Sequence, residues 1–533
     1  MTVTVVTRSN FITLLPSILH HIKDADFIAF DTELTGLTMG SSSKYFYYDE
    51  VEERYRKLRD SANNFGILQF GLSAWKYKKS GNRFSSTSWS FHLFPTISTL
   101  GSSDYRKWTL QLSSIAFLKE HGFDFNRTFL DGISYLSVKE EGDLRTKREA
   151  RKQNREVHMG QDDKLFLAET LEKVQRWYKE GHEEQLELPP CHSFHRLLLY
   201  QEIPKISEIG KHLKISKNGD QLFVKKVTKQ EREEAEEEER MEFERSITEM
   251  VGFRRILDTL MKEKKPLVGH NCWLDWTHFY QKFLGPLPLY WDDFRKELVE
   301  NVGSRVCDTK YIATQLLNNK ERSYFGESME REGGKTSLEQ LATAIDDPAM
   351  WGVKVRVDGG KTKNKAKELF HDAGFDAYCT GKVFVGLATI LCEDNSVENK
   401  VKELFEESFG FAGKLFMMCS DYEPIGVDLI SDRQEKRPDR SNLLVMTDLN
   451  MEAGISHIND LLKHELNIAN NDFEPYWLDG KTVYIALTGA AKQMDINLSR
   501  ETIKVGDMNV RLMSFDRWRR QREEFSPPKR LRC

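Results

Sequence analysis

Asp31 and Glu33 stand two residues apart at the end of the apolar run Phe27-Ile28-Ala29-Phe30. If that run is a strand, its period of two turns both carboxylates to one face, where they could bridge a hard divalent cation. Strand ends also carry solvated acids, so the pair alone does not decide the chemistry. Asp275 follows Gly269-His270-Asn271 and lies among Trp273, Leu274 and Trp276. A lone acid is costly to bury there without a cation or the backbone amides of a helix start. A third segment, His371-Asp372-Ala373-Gly374-Phe375-Asp376, runs into the apolar stretch Val383 to Ile390 and reads as the start of a buried helix. Five residues is not a same-face helical interval, so His371 is expected to reach from the loop ahead of Asp376, with Gly374 allowing the turn.

These residue types suit one reaction. Two Mg²⁺ ions about 4 Å apart clamp an in-line displacement at phosphorus, and their charge calls for several carboxylates. A histidine titrating near neutrality takes the proton of the attacking water. Spacing does not establish that three segments so far apart in the chain meet.

The elements that must position them read as α/β. Residues 27–30, 67–72 and 89–94 are predicted strands, the last ended by Pro95, with a polar helix over Asp49 to Arg59 between the first two. Helical spacing runs from Ile247 to Leu260, Pro266 to His270 reads as another strand, and Thr336-Ser337-Leu338-Glu339 fits a capping box. Composition shifts at residue 139, where KEEGDLRTKREARKQNRE begins, and again at EREEAEEEER, 231–240. Between these charged stretches lies an apolar set including Leu165, Leu171, Val174, Trp177 and Leu197 to Leu199, the mark of a small inserted module. The acidic run itself reads as a solvated helix or linker. Beyond a polar linker at Asp432 to Ser441, strands at 443–446 and 483–487 and a helix over 452–465 predict a compact α+β domain.

The chain has 533 residues, more than one hydrophobic core accommodates. Its net charge of −5 excludes a general attraction to polyanions, so nucleic-acid contact would rest on local Lys and Arg clusters. Seven cysteines include no Cys-x-x-Cys pair, so neither a zinc site nor a disulfide framework is expected, and a reducing compartment is. No signal peptide is read at the N-terminus, and no apolar run approaches the roughly 18 residues needed to span a bilayer. A soluble, non-membrane protein of the cytoplasm is expected, with the basic stretch 527–532 offering a nuclear address as the second option.

The three acidic segments resemble the exonuclease motifs of the DEDD superfamily, in its histidine-bearing branch. Around them the chain is similar to the family of poly(A)-specific ribonuclease and its small-RNA-trimming relatives. The matching stretches are FIAFDTELTGL (27–37), EERYRKL (52–58), FGILQFGL (65–72), GFDFNRTFLDGISYL (122–136), LVGHNCWLDWTH (267–278), CDTKYIA (307–313) and HDAGFDAYCTG (371–381), spread over most of residues 1–395. Position by position, the resemblance implies Asp31, Glu33, Asp275 and Asp376 as ligands of two Mg²⁺ ions, replaceable by Mn²⁺, and His371 as the general base. It implies Leu34, Thr35 and Leu37 beside the terminal nucleotides, and Lys335 and Ser337 as further substrate contacts. Asp308 lies in a matching stretch but reads as structural.

The implied architecture is a ribonuclease-H-like exonuclease domain over 1–140 and 245–400, interrupted by a module at 141–244. A helical and linker segment (401–440), an RNA-recognition-like α+β domain (441–520) and a basic tail (521–533) follow. The module resembles the family's Arg-x-x-x-His unit at PPCHSFHRLLLYQ (189–201), but Tyr200 stands four residues after Arg196 where a histidine is expected. In the C-terminal domain YWLDGKTVYIAL (476–487) leaves Tyr484 as the one aromatic of its strand, and Trp477 falls where the family's deadenylase stacks a cap guanine.

The implied activity is 3′→5′ hydrolysis of single-stranded RNA, releasing 5′-mononucleotides, either in poly(A) tail shortening or in trimming small-RNA precursors such as those of piRNA. The degenerate accessory modules favour trimming. RNA 3′ ends, a second copy of the chain as a homodimer, and proteins that bind small RNA are the implied partners. The alternatives are a catalytically inactive RNA 3′-end binding protein, against which the complete five-residue set argues, and an exonuclease acting on DNA.

Overall fold

A computed structural model describes residues 2–40, 44–95, 107–152, 158–181, 183–318, 336–347, 354–357, 370–392, 396–430, 437–449, 455–469, 471–493, 502–505 and 508–525. The central sheet is built from β1 (Val3–Val6), β2 (Phe27–Leu34), β3 (Ile67–Lys78), β4 (Arg83–His92), β5 (Leu267–Gly269) and β6 (Val306–Asp308), in the order β1-β4-β3-β2-β5-β6. β2, β3 and β4 form an antiparallel meander, and β5 and β6 extend it in parallel from β2. A three-strand meander followed by parallel strands is the ribonuclease-H-like arrangement. β1 is an additional edge strand, parallel to β4.

Alternation along β2 divides the interior. Ile28 and Phe30 enter a core with Phe70, Phe253 and Trp276. Phe27 and Ala29 face the opposite layer with Trp75, Phe84 and Tyr378. That second layer is covered by the helix Ala373–Leu391, buried from Ala373 to Ala388, which packs across β2, β3 and β4. Its sequence is apolar all round because it has no solvent face.

The helical spacing at 247–260 is split. One helix runs Lys229–Val251 and a second Arg254–Glu263, with Phe253 N–H turning to the Ser134 carbonyl at 2.9 Å. The acidic stretch lies in the first of these, largely exposed, and that helix pairs with the helix Val138–Lys152 through Arg145–Glu244 and Arg148–Glu239. Beyond this two-helix stalk, the helices Gln161–Glu180 and Ser193–Glu202 and a three-stranded sheet enclose a core of Leu167, Val174, Trp177, Leu198, Leu199 and Val224.

Residues 401–430, read from the sequence as part of a helical and linker segment, pack into the nuclease core through Leu415, Met417, Tyr422 and Val427. The capping prediction shifts by one residue: Ser337, not Thr336, caps the helix Leu338–Ala344.

The C-terminal sheet orders Phe473–Trp477, Val483–Leu487, Leu443–Thr447, Met508–Ser514 and Thr502–Val505, all antiparallel. The helix Ile455–Leu466 packs on one face with Ile458, Leu461 and Leu462. The other face is covered by Phe515, Trp518 and, from the nuclease domain, Tyr48. The end of the expected linker is anchored: Arg440 donates to Asp421 at 2.7 Å and to Glu50 at 2.8 Å.

Candidate active site

β2 carries Asp31 and Glu33 onto the face of Phe27 and Ala29, where Asp31 pairs with Gly71 and Glu33 with Gln69 of β3. Asp275 lies in the first turn of the helix Trp273–Phe279, just past the end of β5. Thr32, between the two acids of β2, donates its hydroxyl to Asp275 Oδ1 and ties the third carboxylate to the strand of the first two.

Asp376 arrives on the covering helix, whose start is fastened to the sheet. Asp372 caps it, accepting from Phe375 N at 3.1 Å, Ser90 Oγ at 2.5 Å and Gln69 Nε2 at 3.0 Å. Gln69 returns the contact by accepting from Ala373 N at 2.8 Å. The turn expected at Gly374 occurs instead at His371, whose φ is +70°. Gly374 is helical and pressed on the sheet, where a Cβ would meet Ser90 Oγ at 2.3 Å.

In this left-handed turn His371 donates its backbone N–H to Asp376 Oδ2 at 3.0 Å. Its ring sits against Phe117 and His121, with centroids at 4.5 and 4.2 Å. One ligand atom each from Glu33, His371 and Asp376 lie within 4.8 Å of one another.

The electrostatics follow from this crowding. Burial, then Asp376, Asp275 and Glu33, push the Asp31 carboxyl well above the usual range. Burial, then Asp376 and Asp275, do the same to Glu33. Burial pushes Asp275 up to about 6 against the Thr32 hydrogen bond, and Asp376 up to about 8 against the His371 amide. Acids this close do not all ionise without a compensating cation. Among the described residues Asp376 Oδ1 is buried without a hydrogen-bond partner, an oxygen suited to a hard metal ion. The donor set therefore fits divalent ions of the magnesium type. Burial, followed by His121, lowers the His371 imidazole below its ordinary value, which favours the neutral, proton-accepting ring.

The structure thus brings together all five residues that the motifs singled out. It separates others. Thr35 is fully buried, its hydroxyl donating to the Thr109 carbonyl at 2.7 Å and accepting from Gly66 N at 2.8 Å, so it braces the loop and has no face for a nucleotide. Leu34 is buried in the core, whereas Leu37 is 49% exposed, its backbone N–H held by Gln111. Ser337 spends its hydroxyl on Gln340, and Lys335 lies outside the described residues. Trp477 is half-buried against the C-terminal core, and Tyr484 is enclosed by Tyr48, Phe515 and Trp518. Asp308 accepts four backbone amides, from Asn271, Cys272, Lys310 and Phe416, and holds the loop ahead of Asp275.

Motif reading missed Thr32, Gln69 and the Asp372 cap. Only the last had a local signal, an acid three residues ahead of a helical amide. Phe117 and His121 come from a segment that nothing in the sequence links to His371.

Four carboxylates and an imidazole gathered over one face of β2, under the covering helix, fit the class of carboxylate-dependent nucleases. A family model described as CAF1 family ribonuclease matches residues 6–384. The chain belongs to that family and is a 3′→5′ exoribonuclease. It is 30% identical to the poly(A)-specific ribonuclease PARN of Danio rerio, over 93% of this chain and 75% of that protein. It is 28% identical to the pre-piRNA 3′-exonuclease trimmer of Bombyx mori, over 72% of this chain and 70% of that protein. The solved structure of S. pombe Pop2p, Mg²⁺ and Mn²⁺ bound, covers 72% of this chain and 91% of its own at 14% identity and a TM-score of 0.32, too loose a superposition for residue-level comparison.

Proposed function

We propose that the enzyme trims the 3′ ends of single-stranded small-RNA precursors, using two divalent metal ions held by Asp31, Glu33, Asp275 and Asp376, with His371 as general base. The observation that carries the site assignment is the Thr32–Asp275 hydrogen bond beside the unpartnered Asp376 Oδ1. Bound Mg²⁺ or Mn²⁺ supplies charge stabilisation for in-line attack at phosphorus. Asp31 and Glu33 project from one strand and cannot separate, which keeps the ligand oxygens in place without reorganisation. A ring nitrogen of His371 takes the proton of the attacking water, with Phe117 and His121 fixing the ring's orientation. The exposed Leu37 offers apolar surface to the terminal base.

Trimming is favoured over poly(A) tail shortening by the state of the accessory modules. The strand order of the C-terminal domain supports an RNA-recognition-like fold, yet the face on which such folds stack bases is occupied by Tyr48, Phe515 and Trp518. In the inserted module the Arg196 guanidinium is engaged by the Cys191 and Asp220 carbonyls. The enzyme works as a homodimer alongside small-RNA-binding proteins, as the family resemblance implies. No described helix is long and apolar enough to cross a membrane.

The test compares wild type with Asp31→Asn on small RNAs carrying mixed-sequence 3′ extensions and on capped, tailed messages. Faster shortening of the small RNAs, lost in the variant, is the expected result. Preference for the tailed message would replace trimming with deadenylation, and equal turnover by the variant would remove the metal assignment.

A further inference from the structure

The geometry points to a second metal site, for a borderline divalent ion of the zinc type, on the inserted module at Asp163, His192 and His195. One ligand atom from each lies within 4.8 Å of the other two. Asp163 sits in the first turn of the helix Gln161–Glu180, while His192 caps and His195 begins the helix Ser193–Glu202. The shared core of Leu167, Val174, Leu198 and Leu199 holds these helices together.

His195 Nε2 is 2.9 Å from Asp163 Oδ1. With metal–ligand bonds of about 2.0–2.1 Å, adjacent donors at a tetrahedral ion lie roughly 3.3–3.4 Å apart, so this hydrogen-bonded pair needs to open by only about 0.4 Å to admit an ion in place of the shared proton. The rings of His192 and His195 approach to 3.9 Å between centroids at 31°, and a ring nitrogen of His192 lies within 4.8 Å of the other two ligand atoms.

The arrangement has the supports that metal ligands need. The other carboxylate oxygen, Asp163 Oδ2, accepts from Gly160 N at 3.0 Å. Phe166 stacks on His195 at 4.0 Å and 10°, setting the plane of the imidazole. The His195 and Asp163 side chains are only 15% and 24% exposed, so the ion would be part-sheltered, with water in the remaining position. Two imidazoles and one carboxylate select zinc-type ions over Mg²⁺, which separates this site from the all-carboxylate set at the nuclease centre. The expectation of no zinc site looked for thiols; this one uses none.

The site joins the N-terminal ends of the module's two helices, and its role is to lock them together. Full-length protein stripped with a chelator is dialysed against Zn²⁺ in excess Mg²⁺, so that the nuclease carboxylates are filled. Zinc per chain is then measured in wild type, in His192→Ala/His195→Ala, and in His195→Asn, which keeps a hydrogen-bond donor beside Asp163. Wild type is expected to retain one more zinc than either variant, while all three keep their Mg²⁺-dependent nuclease activity. Equal zinc in wild type and His195→Asn would overturn the proposal, and so would a wild type that retains none. Retained nuclease activity in the variants keeps loss of zinc from being loss of fold.

Discussion

Gly71 lies directly against the backbone of Ala373: a Cβ on Gly71 would stand 1.8 Å from the Ala373 carbonyl oxygen. Gly71 is also the strand partner of Asp31, and Ala373 precedes Asp376 by about one helical turn. The approach of the covering helix to the sheet is thus set at the position that sets the width of the acid cluster. Gly71→Ala is expected to push the helix outward, costing about 1–3 kcal/mol of stability and about 10²-fold in kcat through misplacement of Asp376. Thermal melts and single-turnover kinetics at saturating Mg²⁺ check both. Activity within twofold of wild type, on the order of 0.4 kcal/mol in the barrier, would mean that the helix tolerates the shift.

Removing one acid should separate stability from activity. In Asp376→Asn a neutral amide replaces a carboxyl that raises the pKa of both Asp31 and Glu33. In chelator the variant is expected to melt at or above the wild-type temperature, because the cost of keeping a buried acid protonated among its neighbours is gone. Its rate with Mg²⁺ should fall by about 10³-fold, the equivalent of several kcal/mol of charge stabilisation. A variant that melts well below wild type in chelator would show Asp376 to be structural first.

The pH dependence has a definite sign. Without metal, Asp275 and Asp376 are pushed up to about 6 and about 8, against roughly 3.9 for an unfolded aspartate. The folded chain therefore binds more protons than the unfolded chain across that interval. The stability contributed by these groups is full below about pH 4 and is lost as the pH rises through about 6 and then about 8. Metal ions compete with those protons, so the gain in melting temperature on adding Mg²⁺ should grow over the same window. Scanning fluorimetry with and without Mg²⁺ from about pH 5.5 to about pH 8.5 measures it, and a gain flat in pH would contradict the assignment.

Docking of the C-terminal domain should hinge on Arg440. Its side chain is 4% exposed, bonded to Asp421 and Glu50, and its guanidinium carbon lies 4.8 Å from the centre of the Phe515 ring. Arg440→Met leaves two part-buried carboxylates, 14% and 21% exposed, without this partner, at a cost of about 1–3 kcal/mol. Calorimetry is expected to resolve a separate, earlier transition for the C-terminal domain, with cleavage of short oligonucleotides retained. A single unchanged transition would show that the aromatic contacts of Tyr48 and Tyr476 suffice.

The acids and the histidine stood out through the family's motifs; residue type and spacing, taken alone, left each of them an ordinary reading as a cap, a solvated acid or a loop residue. Carboxylates are the charged side chains that bind hard cations, and the two-residue interval on a strand places both on one side without any tertiary information. The apolar helix after Asp376 and the charged stalk were readable, since periodicity and composition are local properties. Accessibility is not local. Thr35 reads as a loop residue beside the site, but Gly66 and Thr109 enclose it. Tyr484 reads as the one aromatic of its strand, with base stacking left open, and Tyr48, far away in sequence, covers it. Whether a side chain meets substrate or core depends on which remote segment packs over it, and packing balances many small contacts contributed by the whole chain. The left-handed turn at His371 has the same origin: a strained backbone angle persists because Gln69, Ser90 and Asp376 hold the residues that follow it, and a linear pattern carries no trace of that restraint.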